Sequence, residues 1–458
     1  MRYFLAVDIG ASSGRHILAH LDNGKLILEE IYRFQNGPKT LTGPDKEEHL
    51  VWDVKGLFTQ ILNGLKEAKK IGKIPYSIGV DTWGVDYALL DGNDELIDNV
   101  FCYRDSRTEK TIPMVHSIIP ERELFEKTGI GFATFNTVYQ LYDDKLTGKL
   151  DKAKSFLMLP DYFHFLLTGN KRQEYTMATT TSMLNAKTHT WDEEIFSKLG
   201  YNPSIFSNPT NPSETVGDLK PEIAELIGYT AKVTLPATHD TASAVLAAPL
   251  TDGAPYISSG TWSLLGIERD RAHTDALAQS TGYSNEGGLN NTFRLQKNIM
   301  GLWMIQQVRH ELDDKYSFQE LANLARENQI PDEIDVNDQR FLAPKSMISE
   351  LNGAVGRELS VGEAVYLILN NLAKDYARSL GDLEKMTGEE YDTLHIFGGG
   401  CQNTLFNELT DKHTKKRVIT GPVESTALGN ILVQMIGSGE ISDINTGRNI
   451  VIKSFDIK

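Results

Sequence analysis

The sequence predicts a two-part α/β protein whose strand–turn–strand opening occurs twice. Three observations carry that expectation. The chain has 458 residues, more than one ordinary core holds, so at least two domains are expected. An apolar run that meets small residues and glycine, followed by a second apolar run, opens the chain in "YFLAVDIGASSGRHILAHLD" and returns after Pro249 in "APYISSGTWSLLGIE". Segments with helical periodicity lie between and after these runs, as a layered α/β chain requires. The expected division is residues 1–243 and 244–458. The second half reads as a diverged copy of the first in layout, not in residue identity.

The elements follow in order. Tyr3 to Ile9 reads as a strand, "RHILAHLD" as a second, and Asn23-Gly24 as the turn into a third, "KLILEEIYRF"; such a pair between alternating runs signals a hairpin. Residues 53–70 read as an amphipathic helix with Val54, Leu57, Ile61, Leu62 and Leu65 on one face. "SIGVDTWGVDYALLD" reads as a buried strand, a polar turn with Gly84, and another strand. From about 105 to 230 helix signals dominate, with Asp161 inside the apolar stretch "LMLPDYFHFLLTG". "TASAVLAA" is a short helix with Asp240 as its expected N-cap. Ser360 and Glu363 have capping-box spacing and open a long helix with Val365, Leu369, Leu372, Tyr376, Leu380 and Leu383 on its buried side. "TLHIFGGG" is a strand running into three glycines, with "CQNTLFNEL" a helix behind it.

Charge and composition narrow the functions. A net charge of -16 argues against non-specific binding to nucleic acid or anionic lipid. An anionic ligand must then be held locally, by backbone N–H groups, a helix N-terminus or a metal ion. Cys102 and Cys401 are far apart, which gives neither a zinc site nor a disulfide framework and suits a reducing cytosol. No apolar run is long enough to span a membrane, and "MRYFLAVDIG" lacks the pattern of a secretory signal. A cytoplasmic monomer or homodimer is the expectation.

The polar residues set against this apolar background are the site candidates. Asp240 is the only formal charge between Val233 and Thr251, and an unpaired buried charge is costly. It needs a partner, a capping role or a chemical task. "DIGASSGR" reads either as a tight hairpin or as a turn whose backbone approaches phosphate, and Asp8 either stabilises that turn or serves a magnesium ion through water. "SSGTWS" is a second turn of this kind, and "FGGGCQN" leaves room for a flat group or is an ordinary strand-to-helix turn. Asp86 and Asp161 either bind a polyol or satisfy local backbone donors. "YRDSR" reads as an internal Arg–Asp network and "STALGNILVQMIG" as a closely packed helix. No GxxxxGK[ST] or GxGxxG occurs.

Taken together, "VDIGASSGR", "VDTWGVDYALLD", "YRDSRT", "FNTVYQL", "LMLPDYF", "EYTMATTT", "THDTASAV", "SSGTWSL", "NEGG", "KNIMGLW", "HIFGGGCQNTL" and "GPVESTALGN" resemble, in this order, the FGGY carbohydrate kinases. The resemblance covers nearly the whole chain. It implies two ribonuclease H-like domains of the actin, hexokinase and sugar kinase superfamily, the first binding sugar and the second ATP, with an interdomain cleft. Asp240 matches the family's catalytic base. Gly84, His239, Asp240, Thr241 and Asn298 match sugar-contacting positions. Ala11, Ser12, Ser13, Gly14, Arg15, Thr261, Gln306 and Gly400 match ATP-contacting positions, and magnesium is the implied metal, with Asp8 its ligand. The implied partners are a small sugar and ATP. The implied reaction is phosphorylation of the 1-hydroxyl of L-rhamnulose, with L-fuculose or xylulose as the alternative acceptor. Trp83, Phe163, Trp262 and Trp303 are candidates for an apolar wall against a sugar methyl group, although bulky apolar residues more often belong to a core. The C-terminus, "TGRNIVIKSFDIK", ends sooner after the last helix than in many relatives.

Overall fold

Strand β1, Tyr3–Ile9, organises the first half. Its alternation sends Leu5, Val7 and Ile9 to one face, against Leu57, Ile61 and Leu65 of helix α1, Val54–Lys70. Phe4 and Ala6 point to the other face. Asp8 shares their parity, so strand geometry puts it on that second face. The computed structural model describes residues 1–43, 46–250, 253–342 and 344–457. β1 pairs antiparallel with β2, Ser13–Asp22, which pairs antiparallel with β3, Lys25–Gln35. Asn23 and Gly24 take φ of 48° and 75°, the left-handed pair of the tight hairpin their sequence predicts. On its other side β1 runs parallel to β4, Pro75–Thr82. Strands β5, Thr215–Asp218, and β6, Lys232–Thr234, complete a six-stranded sheet of order β5-β6-β4-β1-β2-β3.

Between β4 and β5 the chain is largely helical and includes α2, Tyr175–Thr179. After β6 comes α3, Asp240–Ala247, which runs across the 243/244 division. The second half then repeats the arrangement. β7, Tyr256–Ser259, pairs antiparallel with β8, Trp262–Arg269, and the hairpin of β9, Tyr283–Gly287, and β10, Phe293–Met300, extends that side. After α4, Trp303–Glu311, and the 27-residue α5, Val361–Thr387, β11, Thr393–Phe397, enters parallel beside β7. α6, Thr404–Thr414, leads to β12, Arg417–Thr420. The order is β9-β10-β8-β7-β11-β12. Each sheet thus centres on one strand with an antiparallel partner on one side and a parallel crossover strand on the other. The Ser360–Glu363 capping box is present at the start of α5.

The last helices return to the first half. α7, Ser425–Gly437, is followed by α8, Ile444–Ser454. Leu428, Ile431 and Leu432 of α7 cover Phe4 and Ala6 of β1. α7 also lies directly on α3: a Cβ on Gly429 would sit 1.7 Å from the Ser243 carbonyl oxygen, so only glycine lets the two backbones meet. α3 and α7 therefore join the halves, and Asp240 opens one of them. No described helix is long and apolar enough to cross a membrane.

Candidate active site

Three carboxylates converge where β1, β4 and α3 meet. Asp8 and Asp81 are register partners on neighbouring parallel strands and so share a face. Arg15, opposite Asp8 on β2, holds it with Nη2–Oδ2 and Nε–Oδ2 distances of 2.9 and 3.0 Å. Arg15 also pairs with Glu424, just before α7. Asp81 is fully buried; its Oδ2 accepts from Asn430 of α7 at 2.5 Å, and its Oδ1 has no partner among the described residues. Burial, reinforced by Asp8, pushes the Asp81 carboxyl well above the usual carboxylate range. The turn between β1 and β2 is closed by Gly10 N donating to Ser13 O, while Asn36 N donates to Ser12 O. Ala11 and Ser13 are half-buried and Ser12 exposed, and a Cβ on Gly14 would strike the Phe34 ring at 2.2 Å.

Asp240 lies beside this group with its side chain 31% accessible. Burial raises its pKa, His239 opposes that, and Asp8 adds to it. The expected N-cap is displaced by one residue: His239 is the cap and Asp240 the first helical residue. Thr82 N donates to Thr238 O at 2.9 Å, and Thr82 bridges His239. This pairing keeps the chain extended through His239, so the helix cannot start earlier. The Asp240 carboxylate accepts from Thr241 N at 2.6 Å and lies 3.2 Å from Thr241 Oγ1. A Cβ on Gly84 would lie 3.4 Å from His239 Nε2. Gly84, His239, Asp240 and Thr241 therefore come together, although Gly84 is far from the other three in sequence.

The second turn has a different character. Gly260 N donates to Trp262 O, Leu302 N to Gly260 O, and Trp303 N to Thr261 O. The turn is thus clamped to the start of α4, one turn before the half-buried Gln306. A Cβ on Gly400 would lie 2.0 Å from Ser259 Oγ, so the triple-glycine segment presses on the same turn. Thr261 is exposed above it. Asn298 is exposed on β10, opposite Leu264, and shares a face with Arg294 and Gln296.

The remaining candidates separate. Phe163 is fully buried in the first core, so it lines no wall. Trp83 is buried beside Trp52, and both indole N–H groups donate to Asp86, at 2.8 and 2.7 Å. Trp262 is exposed and Trp303 half-buried. Asp86 also accepts from Tyr103 N and Gln140, and burial raises its pKa to about 6 despite these donors. Asp161 accepts from Glu174 N. Arg107 of "YRDSR" is buried against Asp144 at 2.8 Å, the internal network its sequence suggests.

Sequence reasoning missed Glu174, Glu286, Arg294 and Asn430. Glu174 is fully buried and accepts from Thr238 N and Oγ1 at 3.2 and 2.7 Å, which fixes the loop before Asp240. Glu286 and Arg294 reach His239 from the second half. The segments "EYTMATTT", "NEGG" and "STALGN" contain Glu174, Glu286 and Asn430, but no local pattern marks their partners.

Solved kinases share this fold. A ligand-bound xylulose kinase from Lactobacillus acidophilus superimposes with a TM-score of 0.81 at 17% identity, covering 100% of this chain and 92% of that one. A glycerol kinase from Plasmodium falciparum gives 0.78 at 15% identity, with 98% and 92% covered. Residues 3–247 match the N-terminal domain, and residues 255–438 the C-terminal domain, of the FGGY family of carbohydrate kinases. The chain belongs to that family. It is similar over its whole length to rhamnulokinase of Halalkalibacterium halodurans, 44% identical over 466 residues with 100% of this chain and 98% of that protein covered. The rhamnulokinase of Bacillus subtilis is 41% identical, with 99% and 94% covered.

Proposed function

We propose that this carbohydrate kinase transfers the γ-phosphoryl group of ATP to the 1-hydroxyl of L-rhamnulose, giving L-rhamnulose 1-phosphate and ADP in rhamnose catabolism. The placement of Asp240 carries the reading. It is an accessible carboxylate at the junction of the halves, beside His239, which lies against Gly84, and within the electrostatic reach of Asp8. The similarity to rhamnulokinases supports the choice of acceptor.

In this reading Asp240 takes the proton of the 1-hydroxyl as that oxygen bonds to the γ-phosphorus and the bond to the bridging oxygen of ADP breaks. Phosphoryl transfer relies on positioning and charge stabilisation, with a carboxylate orienting the nucleophile. Gly84, His239, Thr241 and Asn298 orient the sugar. Ala11 to Arg15 meet the phosphates, and Thr261, Gln306 and Gly400 border the nucleotide on the second half. We place the boundary at 243/244, with most sugar contacts on the first side and Thr261, Gln306 and Gly400 bordering the nucleotide on the second, while Ala11 to Arg15 and Asn298 reach across that division.

The residues fit a magnesium ion. The free, buried Asp81 Oδ1 beside Asp8 suits an ion that keeps most of its waters and takes one or two carboxylates plus phosphates. Among the described residues no group of three or more His, Cys, Asp or Glu side chains could hold a metal; in the proposed mode Asp8 serves the ion through water. When bound, magnesium neutralises phosphate charge during transfer.

With Trp83 and Phe163 in the core, Trp262 and Trp303 remain as wall candidates for the sugar methyl. A methyl is worth only about 1–3 kcal/mol of discrimination, so some use of L-fuculose and xylulose is expected. A coupled ADP-release assay with L-rhamnulose, L-fuculose, L-xylulose and glycerol tests the reading. The highest kcat/KM should fall on L-rhamnulose and the lowest on glycerol. A win by L-fuculose or xylulose would move the acceptor and leave the kinase; no ADP release with any of them would end both.

A further inference from the structure

His239 stands between the two halves, with a different environment at each ring nitrogen. Nδ1 lies 3.1 Å from Glu286 Oε2 and 3.1 Å from Arg294 Nη2. Arg294 Nη2 is itself 3.0 Å from Glu286 Oε2. Nε2 faces the other way, 3.5 Å from Asp240 Oδ1 and close to Gly84, where a Cβ would lie 3.4 Å from it. Glu286 and Arg294 are register partners on β9 and β10, so the pair enters as one rigid unit. Its approach depends on Gly287, whose N donates to Thr179 Oγ1 at 2.8 Å and where a Cβ would lie 2.8 Å from Tyr175 Cε1.

Nδ1 cannot both donate to Glu286 and accept from Arg294 in one tautomer. The surroundings decide between them. Arg294 has other acceptors: Gly287 O for Nε at 2.9 Å, Gln296 Oε1 for Nη1 at 3.3 Å, and Glu286 for Nη2. An ionised carboxylate can only accept, and the Arg294 guanidinium 3.0 Å from Glu286 Oε2 keeps that carboxyl ionised. In the neutral ring the proton therefore belongs on Nδ1, and Nε2, 3.5 Å from Asp240 Oδ1, is left as the acceptor.

We propose that Glu286, braced by Arg294, fixes His239 in the Nδ1–H tautomer, so that Nε2 presents a hydrogen-bond acceptor to a hydroxyl of the sugar in front of Gly84. Glu286 is a positioning residue: it acts through His239 and touches no substrate. A residue of the second half thereby sets a recognition element of the first, and the acceptor is oriented only when β9 is docked on α2. This inference rests on the sugar-kinase reading of the site.

The test is nitrogen NMR of the ligand-free protein carrying ¹⁵N-labelled histidine, joined to kinetics. Wild type should show His239 protonated at Nδ1 and bare at Nε2. Glu286→Gln should lose that preference, and Glu286→Asp should retain part of it. Glu286→Gln should raise the KM for the ketose about 10- to 100-fold, the size of a buried hydrogen bond left unmade, with the KM for ATP unchanged. His239→Ala combined with Glu286→Gln should be no worse than His239→Ala alone. A proton on Nε2 in the wild type would overturn the proposal, as would independent, multiplying losses in the double variant. If wild type phosphorylates no ketose, the kinase reading fails, while the NMR result still decides whether Glu286 sets the tautomer.

Discussion

The turn after β1 and the turn after β7 occupy the same place in two copies of one sheet, yet they are built from different chemistry. Around the first stand Asp8, Arg15, Asp81 and Glu424, with Asp240 beside them. Around the second stand Ser259, Gly260, Thr261, Gly301 and Gly400, held by backbone hydrogen bonds and by the absence of Cβ atoms. Both turns exclude side-chain bulk: a Cβ on Gly14 would strike Phe34, and one on Gly400 would strike Ser259. The shared geometry lets the backbone approach a ligand closely. In the proposed reading the charges gathered at the first turn mark the reacting end of the site, and the second turn serves by its shape.

The contrast is broken most sharply at Asp8. Asp8→Asn removes the carboxylate proposed to serve the magnesium ion through water and leaves Arg15 paired with Glu424. A drop in kcat of about 100- to 1000-fold is expected, since metal charge stabilisation is worth several kcal/mol, with partial recovery at high magnesium. Steady-state rates across a magnesium titration check this; an unchanged rate and magnesium requirement would place the metal elsewhere.

The neutral turn should respond in kind. Gly400→Ala forces Ser259 and its turn to move, and overpacking of this sort costs about 1–3 kcal/mol. The KM for ATP should rise about tenfold, the KM for the ketose should stay, and the unfolding temperature should fall. A rise confined to the ketose KM would reverse the roles given to the two turns.

The excess of buried carboxylates in the first half also sharpens the contrast, through pH. Asp86, raised to about 6, binds its proton in the folded state more tightly than in the unfolded chain. Folded protein is then favoured below the ordinary carboxylate pKa, and that contribution is lost as pH rises through about 4 to 6, by roughly 3 kcal/mol. Asp86→Asn lacks this titration. Urea unfolding at several pH values should show wild type losing stability relative to the variant across that window; parallel curves would contradict the shift.

Local signals made much of this legible. The Asn23-Gly24 hairpin, the helix after Asp53, the Ser360–Glu363 cap and the doubled strand–turn–strand layout each depend on a few neighbouring residues, and the structure has them all. Gly429 was legible as a packing position because small residues on a helix admit a close neighbour. Asp240 stood out as a lone charge among apolar residues. The bracing of the site was not legible. Asn430 meets Asp81 across 349 positions and Arg294 meets His239 across 55, and such pairings leave no periodicity. Trp83 and Phe163 stayed ambiguous because a large apolar side chain reads the same in a core as in a pocket wall. Only the surroundings distinguish the two.

The central claim is that Asp240 is the base and not a helix-stabilising charge, and its carboxylate-to-amide change tests this most directly. Asp240→Asn is nearly isosteric and still accepts from Thr241 N. Calorimetric titration with the ketose, paired with single-turnover transfer from ATP, should show near-normal sugar binding and transfer slowed by about 10²–10⁴, the usual worth of a general base. Transfer at close to the wild-type rate would contradict the account.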